Sequence, residues 1–258
     1  MATYEGPYSG NGMFKSFTKT WHTEPYPSIS PSRPDLTAAG KTVFITGGGS
    51  GIGKATAIAF AQAGAKLIAI FGRRIANLQS AAEEIRKANP LGTTTVVFES
   101  VDISQRQALD AAFNNAIKKS GGSDKVHIFI NNAAAIKPST TILSDTEKDL
   151  REMIEVNIIG SFNSIQAVSP FLAPNAKILN ISSGVAHVNP MPGMWSYSAV
   201  KTAVAKMFDF LQSENKEWDV FNIQPGVVTT ELNSVSDIQG QDDGEFDFVY
   251  PSTHLLCR

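Results

Sequence analysis

An α/β protein is predicted, built as a doubly wound parallel sheet flanked by helices on both faces. Three observations predict it. From residue 41 onward, short β-branched runs alternate with helix-forming stretches of ten or more residues, an order that implies parallel βαβ units with right-handed crossovers. The strand runs are almost continuously apolar, as a sheet buried on both faces requires. The first run ends in a cluster of glycines that leads directly into a helical stretch.

Each element follows from its local pattern. Lys41–Thr46 (KTVFIT) is a first strand and Ile52–Ala63 a first helix; Lys66–Phe71 (KLIAIF) is a second strand, closed by Gly72. Ala76–Ala88 has amphipathic spacing and is stopped by Asn89-Pro90, because proline forces the residue before it out of the helical region. Thr94–Glu99 is a third strand, followed by a helix over Ser104–Lys119 with Ser104 as its expected N-cap. Val126–Ile130 is a fourth strand. Asp145 to Leu172 is one long helical region, ended near Pro170 and Pro174; Lys177–Ile181, Trp195–Glu214 and Asp219–Ile223 then read as strand, helix and sixth strand.

Residues 1–40 differ in kind. Pro7, Pro25, Pro27, Pro31 and Pro34 lie among Gly, Ser and Tyr without a sustained period, which predicts an extended arm with Trp21 and Tyr26 as residues that dock on the domain. The expected organisation is therefore an arm over 1–40, a single catalytic domain over 41–235 and an atypical tail over 236–258.

Composition sets outer bounds. The 258 residues are 42% hydrophobic and 18% charged with a formal net charge of −2, which suits one globular domain and offers no electrostatic footprint for nucleic acid or an anionic membrane. No run approaches the roughly 18 apolar residues of a membrane span. Cys257 is the only cysteine, which rules out an internal disulfide and fits a reducing compartment. Residues 1–20 lack the apolar core of a secretory signal, Glu5 and Glu24 are unlike a transit peptide, and Leu256-Cys257-Arg258 is not a peroxisomal address. A cytoplasmic location is the default expectation.

Ligands of doubly wound folds sit beyond the carboxyl ends of the strands. At the first such end stands Thr46-Gly47-Gly48-Gly49-Ser50-Gly51-Ile52-Gly53. Glycines there let the backbone approach a pyrophosphate, and the helix N-terminus supplies N–H groups and a positive dipole end. Gly47, Ser50, Gly51, Ile52 and Gly53 are the candidate contacts. The T-G-x-x-x-G-x-G spacing resembles the classical branch of the short-chain dehydrogenase/reductase family, whose glycine pattern differs from the G-x-G-x-x-G of other Rossmann-type folds.

The second strand ends in Gly72-Arg73-Arg74. A site for NAD would place a carboxylate at this point for the ribose hydroxyls, whereas two guanidinium groups suit a 2′-phosphate, so Arg73 and Arg74 point to NADP(H). Asp102, in Val101-Asp102-Ile103, is similar to the family's acidic residue at the adenine ring; a helix-capping role competes with that reading. Asn131-Asn132-Ala133-Ala134 resembles the family's N-N-A-G with alanine in the last place, and implies that Asn131 and Asn132 lock strand ends and line the cofactor.

Tyr197-Ser198-Ala199-Val200-Lys201 opens the helix after the fifth strand. Residues four apart share a helical face, so the Tyr197 phenol and the Lys201 ammonium can enter one cleft. A phenol is a poor proton carrier at neutral pH, and a neighbouring cation favours its ionised form. Ser183 stands 14 residues before Tyr197, one more than is usual in the family, with Ser182 as the alternative; the hydroxyl would polarise a carbonyl beside the tyrosine. Val156-Asn157 matches the family's active-site asparagine, and the resemblance implies that Asn157 holds a water linking the lysine to solvent. Gln224-Pro225-Gly226-Val227-Val228-Thr229-Thr230 resembles P-G-x-V-x-T and places Val228 and Thr230 at the nicotinamide carboxamide.

Six motifs thus stand in family order over residues 41–232. They imply an NADP(H)-dependent oxidoreductase interconverting a ketone and a secondary alcohol, with a small-molecule carbonyl or alcohol substrate and a homodimer or homotetramer as its assembly. The arm together with G-R-R is similar to fungal members of the family and implies secondary metabolism. His22, His127, His187 and His254 have no metal-ligand spacing, and no metal is expected. His127 reads as a core or edge residue; His187, Met191, Met194 and Trp195 flank the expected cleft as substrate contacts or as packing. After Leu232 no clear seventh strand follows. Phe246–Tyr250 is the sole candidate, so a missing C-terminal strand is expected, with a catalytically inactive NADP(H)-binding protein as the alternative function.

Overall fold

The structure is a computed structural model that describes residues 25–89, 92–122, 125–137, 141–188, 190–226, 228 and 230–232. Six strands form one wholly parallel sheet: β1 Thr42–Thr46, β2 Leu67–Gly72, β3 Thr95–Ser100, β4 Val126–Asn131, β5 Leu172–Ile181 and β6 Asp219–Ile223. Their order across the sheet is β3-β2-β1-β4-β5-β6. Strand order reverses between β1 and β4, and a crevice opens at that point beyond the strand ends.

The helices are α1 Gly51–Gln62, α2 Ile75–Ala88, α3 Arg106–Lys119, α4 Glu147–Ile154, α5 Gly160–Val168 and α6 Trp195–Glu214. Side chains alternate across each strand, and the two faces hold two separate cores. Val43 and Ile45 of β1, with Ile68 and Ile70 of β2, pack with Ala57, Ala61, Leu78 and Ile85 of α1 and α2. Phe44, Phe71 and Phe129 face the other way, toward Phe113 of α3, Val168 of α5 and Phe208 of α6. Phe113 is the hub of that face, with ring centroids 4.5 Å from Phe71, 5.5 Å from Phe44 and 6.3 Å from Phe129.

The structure corrects four local expectations. The helical region foreseen over Asp145–Leu172 is not continuous: α4 passes through a π-helical turn, Glu155–Ile159, into α5, and a 3₁₀ turn over Ser169–Phe171 ends it. A π turn adds a residue to the helical register and commonly sits at a functional site. The β5 strand starts at Leu172, five residues earlier than expected, and its pairing with β4 shifts register between Val126 and Ile128. That irregular stretch contains Pro174, which has no N–H to give to a regular ladder. Ser104 does not cap α3: the helix starts at Arg106 after Gln105, and the Ser104 N–H is taken by Asp102 Oδ1 at 2.9 Å. The described part of the arm is not simply extended either. Pro27–Ile29 and Pro34–Leu36 form 3₁₀ turns, because proline fixes φ near the helical value. Ala39 then pairs with Ala65, and Ala38 is buried at the base of the domain.

His127 proves to be a sheet residue with a structural bond, its Nδ1 accepting from the Thr42 N–H at 3.1 Å. Trp21, the tail over 236–258 and its Phe246–Tyr250 segment lie outside the described residues. No described helix is long and apolar enough to cross a membrane.

Replacing Phe113 by alanine should lower the unfolding free energy by about 3–5 kcal/mol, since the ring is fully buried and its neighbours cannot close the gap. Urea unfolding followed by tryptophan fluorescence would measure it; a loss under about 1 kcal/mol would show that this ring does not hold the face together.

Candidate active site

The glycine turn is shaped by a clamp between β1 and β4. Thr46 Oγ1 accepts the N–H groups of Asn132 (3.0 Å) and Ala133 (3.1 Å), while Asn132 Nδ2 donates to Thr46 O (2.9 Å) and Gly47 O (3.2 Å). Gly47 has φ +68°, and its N–H donates to Phe71 O at 2.7 Å. A Cβ at Gly47 would stand 2.7 Å from Asn132 Nδ2, and one on Gly53 would stand 2.6 Å from the same atom and overlap Gly47 O. Only hydrogen fits at either place. Ser50 precedes α1 without a side-chain capping bond, so the first amides of that helix, from Gly51 through Gly53, keep donors for an anion. Thr230 comes over the same helix start from the β6 side, its Cγ2 3.1 Å from where a Gly51 Cβ would lie.

The rim beside this turn is charged. A cleft of ≈ 420 Å³ is lined by Gly49, Ser50, Lys54, Asn77, Glu84 and Glu231, among others. Arg74 Nη2 lies 2.6 Å from Glu231 Oε2 and donates toward Ser50 Oγ at 3.4 Å; Lys54 Nζ pairs with Glu84 at 3.0 Å. Arg73 is exposed, and its carbonyl accepts from Ser100 Oγ at 3.0 Å. Asp102 keeps the turn after β3 through the Ser104 amide. It is a turn-former, and its capping role is of this local kind rather than a helix N-cap.

At the other half of the crevice, α6 brings Tyr197 and Lys201 to one face. Lys201 is 6% exposed, its Nζ donates to Ile181 O at 2.8 Å, and it stands 5.7 Å from the Tyr197 ring centroid. The Tyr197 phenol lies beside Ser183, whose hydroxyl favours its ionised form, while Ser182 is buried with its Oγ unpartnered. Burial pushes the Tyr197 phenol up to about 12, with the Ser183 bond acting the opposite way. Burial also pulls the Lys201 ammonium down to about 8. The lowered phenol expected from a neighbouring cation is not found, because loss of hydration raises it and outweighs the lowering effect of Ser183.

Asn157 sits in the π turn, which packs against α6. Its Nδ2 donates to Met153 O (2.9 Å) and Ala135 O (3.0 Å), and its Oδ1 accepts from the Ala135 N–H at 3.3 Å. The side chain thereby ties the loop after β4 to the helix and orders the crevice wall. Val228 is buried near the end of β6. His187 and Met194 adjoin the loop before α6, where Trp195 begins the helix with its Nε1 buried and unpartnered.

Asn180 and Asn222, which continue a row begun by Asn131, escaped the sequence reading. Asn131 Nδ2 donates to Asn180 Oδ1 at 3.0 Å, and Asn180 Nδ2 to Asn222 Oδ1 at 2.8 Å; Asn222 Nδ2 reaches Ala205 O and Asp209 Oδ1, each at 3.1 Å. This ladder crosses β4, β5 and β6 in register and ends on α6. An asparagine near the end of an otherwise apolar strand, as in Leu179-Asn180-Ile181, was the available signal. No group of three or more potential metal ligands occurs among the described residues.

The short chain dehydrogenase family model matches residues 41–239. The chain belongs to the short-chain dehydrogenase family. A short chain dehydrogenase/reductase of the fungus Claviceps purpurea is 33% identical over 218 residues, covering 83% of this chain and 70% of the relative. Among solved structures, an alcohol dehydrogenase from the archaeon Thermococcus sibiricus, complexed with 5-hydroxy-NADP, superposes with a TM-score of 0.68 at 25% identity, covering 76% of this chain and 80% of the other. A short chain dehydrogenase/reductase of Burkholderia phymatum in complex with NAD gives 0.69 at 25% identity, covering 77% and 69%. The chain is thus an oxidoreductase-family member with a nucleotide-binding Rossmann fold, similar to fungal members, of a family that acts on small molecules. Neighbours with both forms of the nicotinamide cofactor occur.

The Lys201 shift has a testable sign. Its folded pKa, about 8, lies below the ordinary 10.5, so between those values the unfolded chain binds a proton that the folded chain does not. Stability should therefore rise with pH across that window, by about 2 kcal/mol between pH 8 and 10 relative to a Lys201→Met variant. Denaturant unfolding of both proteins at the two pH values reads this difference; a wild-type stability, taken relative to the variant, that stays constant or falls with pH would mean that Lys201 is not desolvated.

Proposed function

We propose that the chain is an NADP(H)-dependent oxidoreductase that interconverts a ketone and a secondary alcohol. The observation that carries this reading is the buried Tyr197 phenol beside Ser183, with Lys201 one helical turn behind it, at the strand ends that the glycine turn also borders. A dinucleotide fits the turn's chemistry. Its pyrophosphate would lie on the amides of Gly51, Ile52 and Gly53 with Gly47 and Ser50 beneath. Asp102 would accept from the adenine amine, Asn131 and Asn132 would order the floor, and Val228 and Thr230 would meet the carboxamide. Arg73 and Arg74 would hold the 2′-phosphate, which favours NADP(H) over NAD(H).

A nicotinamide bound there would supply the hydride. Tyr197, kept neutral by burial, gives its phenolic proton to the carbonyl oxygen, and Ser183 donates a hydrogen bond to that same oxygen. Lys201 would hold the ribose hydroxyls and, through a water near Asn157, would return a proton to Tyr197. Met191, Met194 and Trp195 leave an apolar side to the pocket, which suits a small or medium apolar ketone. One catalytic domain over 41–235, a cytoplasmic place and a role in secondary metabolism belong to the same proposal, supported by the composition and by likeness to fungal short chain dehydrogenases.

Turnover tests the assignment. Tyr197→Phe should reduce ketone-dependent NADPH oxidation by at least about 1,000-fold while NADPH still enhances or shifts its fluorescence on binding; a variant that keeps full turnover would refute the proton donor. Replacing Arg73 and Arg74 together by alanine should weaken NADPH by about 10- to 100-fold and leave NADH nearly unchanged. Equal losses for both cofactors would defeat the phosphate site.

A further inference from the structure

Lys54 and Arg74, two cations beside the glycine-turn cleft, are already engaged by carboxylates of the chain itself. Lys54 is paired with Glu84, and Arg74 with Glu231. The second pair differs from an ordinary surface contact in what it spans. Arg74 immediately precedes α2, on the β2 side of the sheet, whereas Glu231 follows Thr230 beyond β6. Their bond therefore bridges the two halves of the doubly wound fold over the start of α1, where Arg74 also reaches Ser50.

We propose that Glu231 is a specificity-determining residue: its carboxylate occupies the Arg74 guanidinium in the absence of cofactor and competes with a ribose 2′-phosphate for it. The inference rests on Arg74 being the phosphate ligand in the function proposed above. The chemistry of the exchange is direct. A guanidinium binds carboxylate and phosphate through the same planar N–H donors, so one anion leaves as the other arrives. A cofactor with only hydroxyls on that ribose makes no claim on Arg74 and leaves the pair intact. Glu231 therefore acts against NADP(H) alone, and it narrows the preference that Arg73 and Arg74 create. The pair is open to solvent, with side-chain exposures of 61% and 60%, so it yields readily and its effect is a moderate one.

The test is a double-mutant cycle read by calorimetric binding, with no turnover involved. Adenosine 2′,5′-bisphosphate and adenosine 5′-monophosphate are titrated into the wild-type chain, Glu231→Gln, Arg74→Ala and the double variant. Glu231→Gln should bind the bisphosphate about two- to fivefold more tightly than wild type and the monophosphate equally well. In the Arg74→Ala background the same substitution should bring no gain, because competition requires the guanidinium. Three results would overturn the proposal: no gain with the bisphosphate, an equal gain with both nucleotides, or a gain that survives loss of Arg74. If Arg74→Ala selectively weakens the bisphosphate while Glu231→Gln is silent, the phosphate site stands and only the competition falls. If Arg74→Ala weakens neither nucleotide, the phosphate assignment fails and takes the competition with it.

Discussion

Thr46 and Asn132 join the carboxyl ends of β1 and β4, and the rest of the crevice is built outward from that joint. Sheet bonding stops where two parallel strands diverge, and backbone groups there need new partners. The Thr46 hydroxyl takes two N–H groups, and the Asn132 amide gives its two protons to the carbonyls of Thr46 and Gly47. The packing this produces leaves no room for a side chain at Gly47 or Gly53. The start of α1 is thereby held against the strand ends. Next along the same edge, Asn131 begins the asparagine ladder through Asn180 to Asn222. Ile181, whose carbonyl accepts from Lys201, follows Asn180 directly. The glycine turn and the buried ammonium are in this way referenced to one row of bonds.

Burial acts on the two titratable groups of the site in a consistent direction. It raises the phenol and lowers the ammonium, since each is easier to bury uncharged. A phenol near 12 costs about 7 kcal/mol to ionise at pH 7, so the resting site presents an acid. That suits donation to a carbonyl oxygen. Removing a proton from an alcohol requires further positive charge beside Tyr197, and an oxidised nicotinamide is such a charge. The Ser183 bond already points in that direction by favouring the ionised phenol.

Periodicity made the sheet legible: every strand run was visible as an apolar segment between turn residues, and all six form. What periodicity could not show were places where a long-range bond overrides the local pattern. The stretch from Asp145 reads as one helix because its apolar spacing survives, yet Asn157 turns inward to the loop after β4 and the helix widens by a π turn around it. Ser104 has the side chain of an N-cap, but Asp102 reaches its amide first. Leu172–Ala176 was hidden behind two prolines, whose missing N–H groups matter little in an irregular stretch of strand. The site was legible where its chemistry needs fixed spacing, as with Tyr197 and Lys201. It was not legible where partners meet across the sheet, as with Asn180, Asn222 and Glu231.

The crevice therefore has a floor and a rim of different physical character. The floor is made of buried amides and hydroxyls paired with one another, and a lost partner there leaves a polar group stranded without water. The rim is made of one half-buried and one exposed ion pair that solvent weakens and that exchange partners at small cost. A floor of that kind tolerates little change and suits the part of a dinucleotide common to all its forms. In the proposed function, discrimination between forms would come from the rim, where one charge can be altered without disturbing the joint between β1 and β4. Arg74 after β2 and Glu231 after β6 lie on that rim, one on each half of the sheet. In the proposed function, cofactor choice would be set by a balance of such charges rather than by the fold that carries them.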